Sequence, residues 1–264
     1  MSLTPLRVGL IGDGGISRSV RSTLARVPEA PIEIRAVLAR RSGAGPVPTV
    51  TSLDAFLEEE LDVVVECASH EAVAKYGATV LRAGVPLMVV SIGSLCDTQL
   101  YEALQEAAVV GRSRLILAAG AIGGIDALGA ARLGGLTRVH YRGRKPPLAW
   151  RGTPAEQLLD LAAVSEPQTF YRGNAREAAR LYPRNANVAA TIALAGLGFD
   201  RTEVELVADP ATQHNVHELS FDSADGQFNA EIRGVPSTEN PKTSMLTARS
   251  IARILINLRT MVVM

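Results

Sequence analysis

Apolar residues in the first 120 positions come in short unbroken runs: RVGLIG at 7–12, IRAVLA at 34–39, DVVVECAS at 62–69, PLMVVSIGS at 86–94 and RLILAAGAIGG at 114–124. Stretches of helical period separate them, such as 17–27 and 70–83. Runs that are apolar on every residue suit parallel strands covered on both faces, so this half predicts an open, doubly wound α/β sheet. Beyond Gly124 the pattern changes: TRVHYRGRKPP (137–147), TEVELVAD (202–209), HNVHELSF (214–221) and GQFNAEIRG (226–234) alternate apolar with polar residues. That alternation predicts a mainly antiparallel sheet with one wet face.

Two helix starts are legible between those strands. TPAE at 153–156 offers an N-cap, a proline at the first helical position and a reciprocating glutamate, and NARE at 174–177 repeats cap and glutamate. The last segment carries Leu246, Ile251, Ile254, Leu255 and Leu258 as a helical stripe. The expected organisation is a first domain over 1–119, an α+β domain over 120–242, and a terminal helix within 243–264 that packs back on the first domain.

A chain of 264 residues that is 47% hydrophobic has enough apolar material for one large core or two modest ones. Lys plus Arg and Asp plus Glu both number 27, so the formal charge is 27 − 27 = 0. No broad basic field is available for nucleic acid or an anionic membrane. Cys67 and Cys96 lack metal-ligand spacing and sit in or beside apolar segments, as reduced core residues do. With no secretory leader pattern and no apolar run of membrane-spanning length, the expectation is a soluble cytoplasmic protein.

The first strand runs directly into Gly12-x-Gly14-x-x-Ser17 and then a helix. This is the context of a dinucleotide fingerprint: the first glycine turns the chain, the second admits the pyrophosphate, and a small third residue allows close helix packing. Gly12, Gly14, Gly15 and Ile16 are therefore candidate cofactor contacts in a Rossmann domain; the alternative is a glycine-rich turn without a ligand. An acidic residue ending the second strand would favour NAD, but the chain reads Ala39-Arg40-Arg41-Ser42. Arg40 and Arg41 match a 2′-phosphate and predict NADP, with NAD as the other cofactor, unless the pair is only solvated surface.

Ligands of such sheets sit beyond the carboxyl ends of the strands. Ala68 and Ser69 lie in one strand-end segment, and Gly120, Ala121, Gly123 and Gly124 in another, where small residues suit either a planar ring or a hinge. Of four histidines, His217 falls on the apolar face of its strand, where a packed histidine is the more common outcome. Asn185 and Asn187 begin a helix. Lys242 and Thr243 stand beside the start of the last one, an end that suits a carboxylate but also needs no ligand.

Taken in series, ECASHEAV (66–73), AAGAIGGIDAL (118–128), GRKPP (143–147), EAARLYPRNANVAAT (177–191), VADPATQHNVHE (207–218) and NPKTSMLT (240–247) are similar to the L-aspartate dehydrogenase family over essentially the whole chain. The resemblance implies a Rossmann domain with an α+β substrate and dimerisation domain, a homodimer, and oxidation of L-aspartate with NAD or NADP. The product, iminoaspartate, hydrolyses to oxaloacetate and ammonia or feeds nicotinamide nucleotide synthesis. The resemblance places the catalytic histidine on His217 and cofactor contacts on Ala121 and Asn187. Lys145 and Lys242, with Thr243, are the expected carboxylate anchors. The competing expectations are another NADP-dependent amino or keto acid reductase and a non-catalytic NADP sensor.

Overall fold

The computed structural model describes residues 4–43, 46–183, 185–235 and 244–263. They fall into two compact units, 1–118 with 248–264 and 119–247. Among them no helix is long and apolar enough to cross a membrane, and no cluster of His, Cys, Asp and Glu is arranged to hold a metal.

The first unit is built on β1 (Leu6–Ile11), α1 (Gly15–Leu24), β2 (Ile32–Leu38), β3 (Thr49–Val50), α2 (Leu53–Leu57), β4 (Val63–Glu66), α3 (His70–Arg82), β5 (Leu87–Val89), α4 (Thr98–Val110) and β6 (Leu115–Leu117). The sheet order is β3-β2-β1-β4-β5-β6, every pair parallel. Val8, Leu10, Val63, Val64, Val65, Leu87, Met88 and Val89 are all fully buried, the two-sided burial that an unbroken apolar run requires. From β1 the chain builds outward through β2 and β3, then returns to place β4 on the other side of β1. The direction of winding therefore reverses at β1, and the carboxyl ends of β1 and β4 mark the crevice where such sheets bind ligands. Cys67 and Cys96 are both buried.

The C-terminal helix α9 (Met245–Asn257) sends Ala248, Ile251 and Leu255 into the same core as Leu6, Val8 and Leu10. Behind it Arg259 reaches Asp62 at 3.3 Å, the carboxylate that also pairs with Arg7. Leu246 and Leu258, the two ends of the predicted stripe, stand exposed. The division between the units falls at 247/248, later than the expected 242/243. The reason is local: Met245 N–H donates to the Val235 carbonyl at 3.1 Å, and a Cβ on Gly234 would stand 2.7 Å from Ser244 Oγ, so the start of α9 is tied to the preceding strand.

The second unit comprises α5 (Ile125–Gly134), β7 (Leu136–Lys145), α6 (Ala155–Leu158), β8 (Gln168–Asn174), α7 (Ala175–Leu181), α8 (Asn187–Ala195), β9 (Glu203–Ala208), β10 (Asn215–Ser223) and β11 (Gly226–Gly234). Its sheet runs β11-β10-β7-β9-β8, antiparallel except for the β7–β9 pair. One face is apolar: Val139, Tyr141, Leu206, Leu219 and Phe221 are buried. On the other, Arg138 pairs with Glu203 at 2.8 Å, Arg142 with Glu205 at 2.8 Å, and Arg144 with Glu218 at 2.7 Å and Asp209 at 3.0 Å. Cross-strand ion pairing is what makes the polar half of the alternation so regular.

The two predicted helix starts differ in outcome. Asn174 accepts from Glu177 N–H at 2.9 Å and opens α7. The TPAE segment yields only the single turn α6: Glu156 accepts from Gly152 N–H at 2.9 Å, not from its cap residue, and Leu159 is already extended.

Candidate active site

Gly12 leaves β1 with φ +100°, a conformation that favours glycine, and a Cβ there would stand 2.8 Å from the Ala68 Cβ. The β1 and β4 ends thus approach each other only because position 12 has no side chain. A Cβ at Gly14 would meet nothing within 4 Å, so this residue faces open space. Gly15 and Ile16 form the first turn of α1, whose N-terminus has no side-chain cap and so leaves N–H donors for a phosphate. Ser17 is fully buried, small enough for the helix to pack where a third glycine would stand. Arg40 and Arg41 are exposed just beyond β2, and Ala68 and Ser69 are exposed just beyond β4, with Ser69 capping α3 through Ala72 N–H at 3.3 Å. These features fit a dinucleotide.

One residue behind this corner escaped the sequence analysis as a functional candidate. Glu66, fully buried at the end of β4, accepts from Ala68 N–H at 2.7 Å, Ser91 N–H and Oγ at 2.9 Å each, and Val90 N–H at 3.3 Å. Burial pushes its carboxyl above the ordinary range while those donors hold it down. It fixes the two loops that leave β4 and β5. Glu66→Gln places amide hydrogens against donors; a loss of about 2–3 kcal/mol in urea-unfolding free energy is expected.

In the second unit, Tyr141, Gly143 and Lys145 share the inner face of β7, and His217 on β10 lies directly opposite Gly143. The Tyr141 hydroxyl and His217 Nδ1 are 2.8 Å apart, both residues buried. A Cβ at Gly143 would stand 2.7 Å from the Tyr141 hydroxyl, so the missing side chain gives that hydroxyl its place. Lys145 is 3% exposed, donates to Asn185 Oδ1 at 3.0 Å, and holds its Nζ 5.3 Å from the Trp150 ring centroid. Burial, and after it the Lys145 charge, depress the His217 pKa to about 3. Burial pushes the Tyr141 hydroxyl up, so it stays protonated. His217 is therefore a neutral imidazole with Nδ1 committed to Tyr141, which leaves Nε2 as the nitrogen for proton exchange.

Asn187 is the first residue of α8, two positions after Asn185. Ala121 is buried in the turn before α5. The smallness of its neighbours serves packing within this unit: a Cβ at Gly124, where φ is +75°, would stand 2.7 Å from the Phe228 ring, and one at Gly123 would be 3.3 Å from Ile232. Lys242 and Thr243 lie outside the described residues. Tyr141 and Gly143 were not picked out as site residues from sequence, and Asn185 only as part of a helix start.

A fingerprint corner on a parallel sheet, followed by a mixed-sheet unit carrying a buried His–Tyr–Lys row, defines a nicotinamide-dependent dehydrogenase. Comparison with known proteins narrows the class. A family model described as homoserine dehydrogenase, NAD binding domain, matches residues 12–118, and one described as aspartate dehydrogenase, C-terminal, matches residues 126–258. The chain is 46% identical to L-aspartate dehydrogenase of Cupriavidus necator, covering 96% of this chain and 97% of that one, and 44% identical to that of Pseudomonas aeruginosa at the same coverage. The crystal structure of aspartate dehydrogenase from Thermotoga maritima superposes with a TM-score of 0.79 at 30% identity over the whole of both chains. The chain belongs to the L-aspartate dehydrogenase family. A dihydrodipicolinate reductase at 14% identity and TM-score 0.54 shares the fold alone.

Proposed function

We propose that this protein oxidises L-aspartate to iminoaspartate with NADP, and runs the reverse reductive amination of oxaloacetate. The observation that carries the reaction is the buried row on β7 and β10: a neutral imidazole with one nitrogen fixed by Tyr141, beside a buried ammonium. Lys145 anchors a carboxylate of the substrate. His217 Nε2 takes a proton, either from the substrate ammonium, so that the amine lone pair can form the C=N bond, or from the water that attacks the imine. Anionic substrate beside Lys145 offsets the charge that helps depress the imidazole, so binding raises the basicity of His217 where it is needed. When bound, the nicotinamide supplies the acceptor for the Cα hydride. Gly12, Gly14, Gly15, Ile16, Ala68 and Ser69 would hold the nucleotide, with Ala121 and Asn187 as the contacts that the family resemblance implies.

The test is NADPH oxidation with oxaloacetate plus ammonium, compared with either omitted. Consumption that needs both supports the reading; turnover of a different keto acid, or tight binding without turnover, overturns it. The homodimer, cytoplasmic location and supply of iminoaspartate to nicotinamide nucleotide synthesis belong to the same proposal.

The NADP preference rests on Arg40 and Arg41. Both are exposed beyond β2, and no acidic residue lies between positions 38 and 43 to bond ribose hydroxyls and repel a 2′-phosphate. Arg40→Asp combined with Arg41→Ala is expected to move the NADP/NAD ratio of kcat/KM toward NAD by about 10- to 100-fold. An unchanged ratio in steady-state assays with each cofactor removes the assignment.

A further inference from the structure

We propose that Asn185 is a substrate-binding residue: its side-chain N–H group and the Lys145 ammonium together form a hook for one carboxylate of a dicarboxylic amino acid. The inference rests on the aspartate reading above. Asn185 is 5% exposed, and the turn that carries it is fixed by Asn185 N–H and Ala186 N–H, both donating to the Tyr182 carbonyl at 2.8 and 3.0 Å. Lys145 Nζ only donates, so the amide atom 3.0 Å from it must be the oxygen. The orientation of the amide is thereby determined, and Nδ2 with its two hydrogens occupies the other position.

Nδ2 is buried and has no hydrogen-bond partner among the described residues. A buried amide donor without an acceptor is costly in the bare protein, and an acceptor brought by a ligand relieves that cost. The ligand must also be compatible with an ammonium next to that donor and a neutral imidazole in the same row. A carboxylate meets these conditions, with one oxygen for the ammonium and the other for the amide. The pair also discriminates: a substrate with a neutral group at that position forgoes the charge-assisted contact with Lys145.

The test is Asn185→Asp. Its carboxylate retains an oxygen for Lys145, so the local structure keeps its ion partner, but the second oxygen now presents negative charge where Nδ2 stood. Succinate, a dicarboxylate without an amine, reports binding without chemistry. The expected result is a rise of about tenfold or more in both the KM for aspartate and the Ki of succinate, with the Kd of NADP changed less than about twofold. Unchanged KM and Ki would make Asn185 a support for Lys145 alone, and an equal rise in the NADP Kd would assign it to the cofactor; either overturns the proposal. Should the variant not fold, the Asn185 side-chain 15N–1H signals of the wild-type protein are followed through a succinate titration. No movement at saturation is then the overturning result. Wild-type protein that binds succinate through Asn185 but does not turn over aspartate would leave this hook standing and remove the reaction assigned above.

Discussion

Replacing His217 by asparagine or alanine is expected to lower kcat for aspartate oxidation about 10²- to 10⁴-fold while leaving the Kd of NADP nearly unchanged. The split follows from placement: His217 is on β10 of the second unit, whereas the fingerprint residues proposed to hold the nucleotide are on β1, α1 and the end of β4. An equal loss in both quantities would assign the residue to cofactor binding. The same substitution has a signature in stability. Folding lowers the His217 pKa from 6.5 to about 3, so between those values the unfolded chain binds the proton that the folded one rejects. Stability is therefore fully present above pH 6.5 and is lost as pH falls toward 3. His217→Asn removes this contribution, and the acid limb of its unfolding free energy, measured by urea titration at several pH values, should be flatter than that of the wild type. Tyr141 bears on the first effect, because its hydroxyl occupies Nδ1 and leaves Nε2 as the other ring nitrogen.

Much of the architecture was legible because burial imposes a simple rule on each sheet. The central strands of the first unit, β1, β4 and β5, are covered on both faces and read as unbroken apolar runs; β7, β9, β10 and β11 have one ion-paired face and alternate. The strands that were missed break those rules. β8 places Phe170 and Tyr171 in succession, with an irregularity in its pairing to β9 between Thr169 and Tyr171, so no alternation survives. β3 has only two residues. The glycine turn was legible because a positive φ and a contact too close for a Cβ both leave the same mark, a glycine. The composition of the His217 site was not. Periodicity put His217 on an apolar face, but Tyr141, 76 positions away, meets it only through the register of β7 against β10. Asn185 joins through a turn before α8 that carries no period at all. Glu66 did leave a signal, a carboxylate closing a VVVE strand that is otherwise wholly apolar and buried, but its role depends on the convergence of the Ala68, Val90 and Ser91 backbone donors, which no local pattern displays.

Lys145→Met should raise the KM for aspartate roughly a hundredfold or more, since it leaves the substrate carboxylate that Lys145 is proposed to anchor without its counter-charge. Methionine fills most of the buried stem's volume and removes the desolvation cost of the ammonium, but it leaves Asn185 Oδ1 without its donor, so a stability loss of about 1–3 kcal/mol is expected. A rise in KM much larger than this loss explains, with the variant still folded in a thermal melt, separates substrate binding from a merely structural role. The third readout is the imidazole itself. Burial is the larger cause of the depressed His217 pKa and the Lys145 charge the smaller. Loss of the charge should thus move the titration upward from about 3 while leaving it below 6.5, as followed by NMR of the labelled ring. A pKa that does not move would mean that the ammonium and the imidazole are not electrostatically coupled, and the substrate-induced rise in basicity assigned to His217 would lose its physical basis.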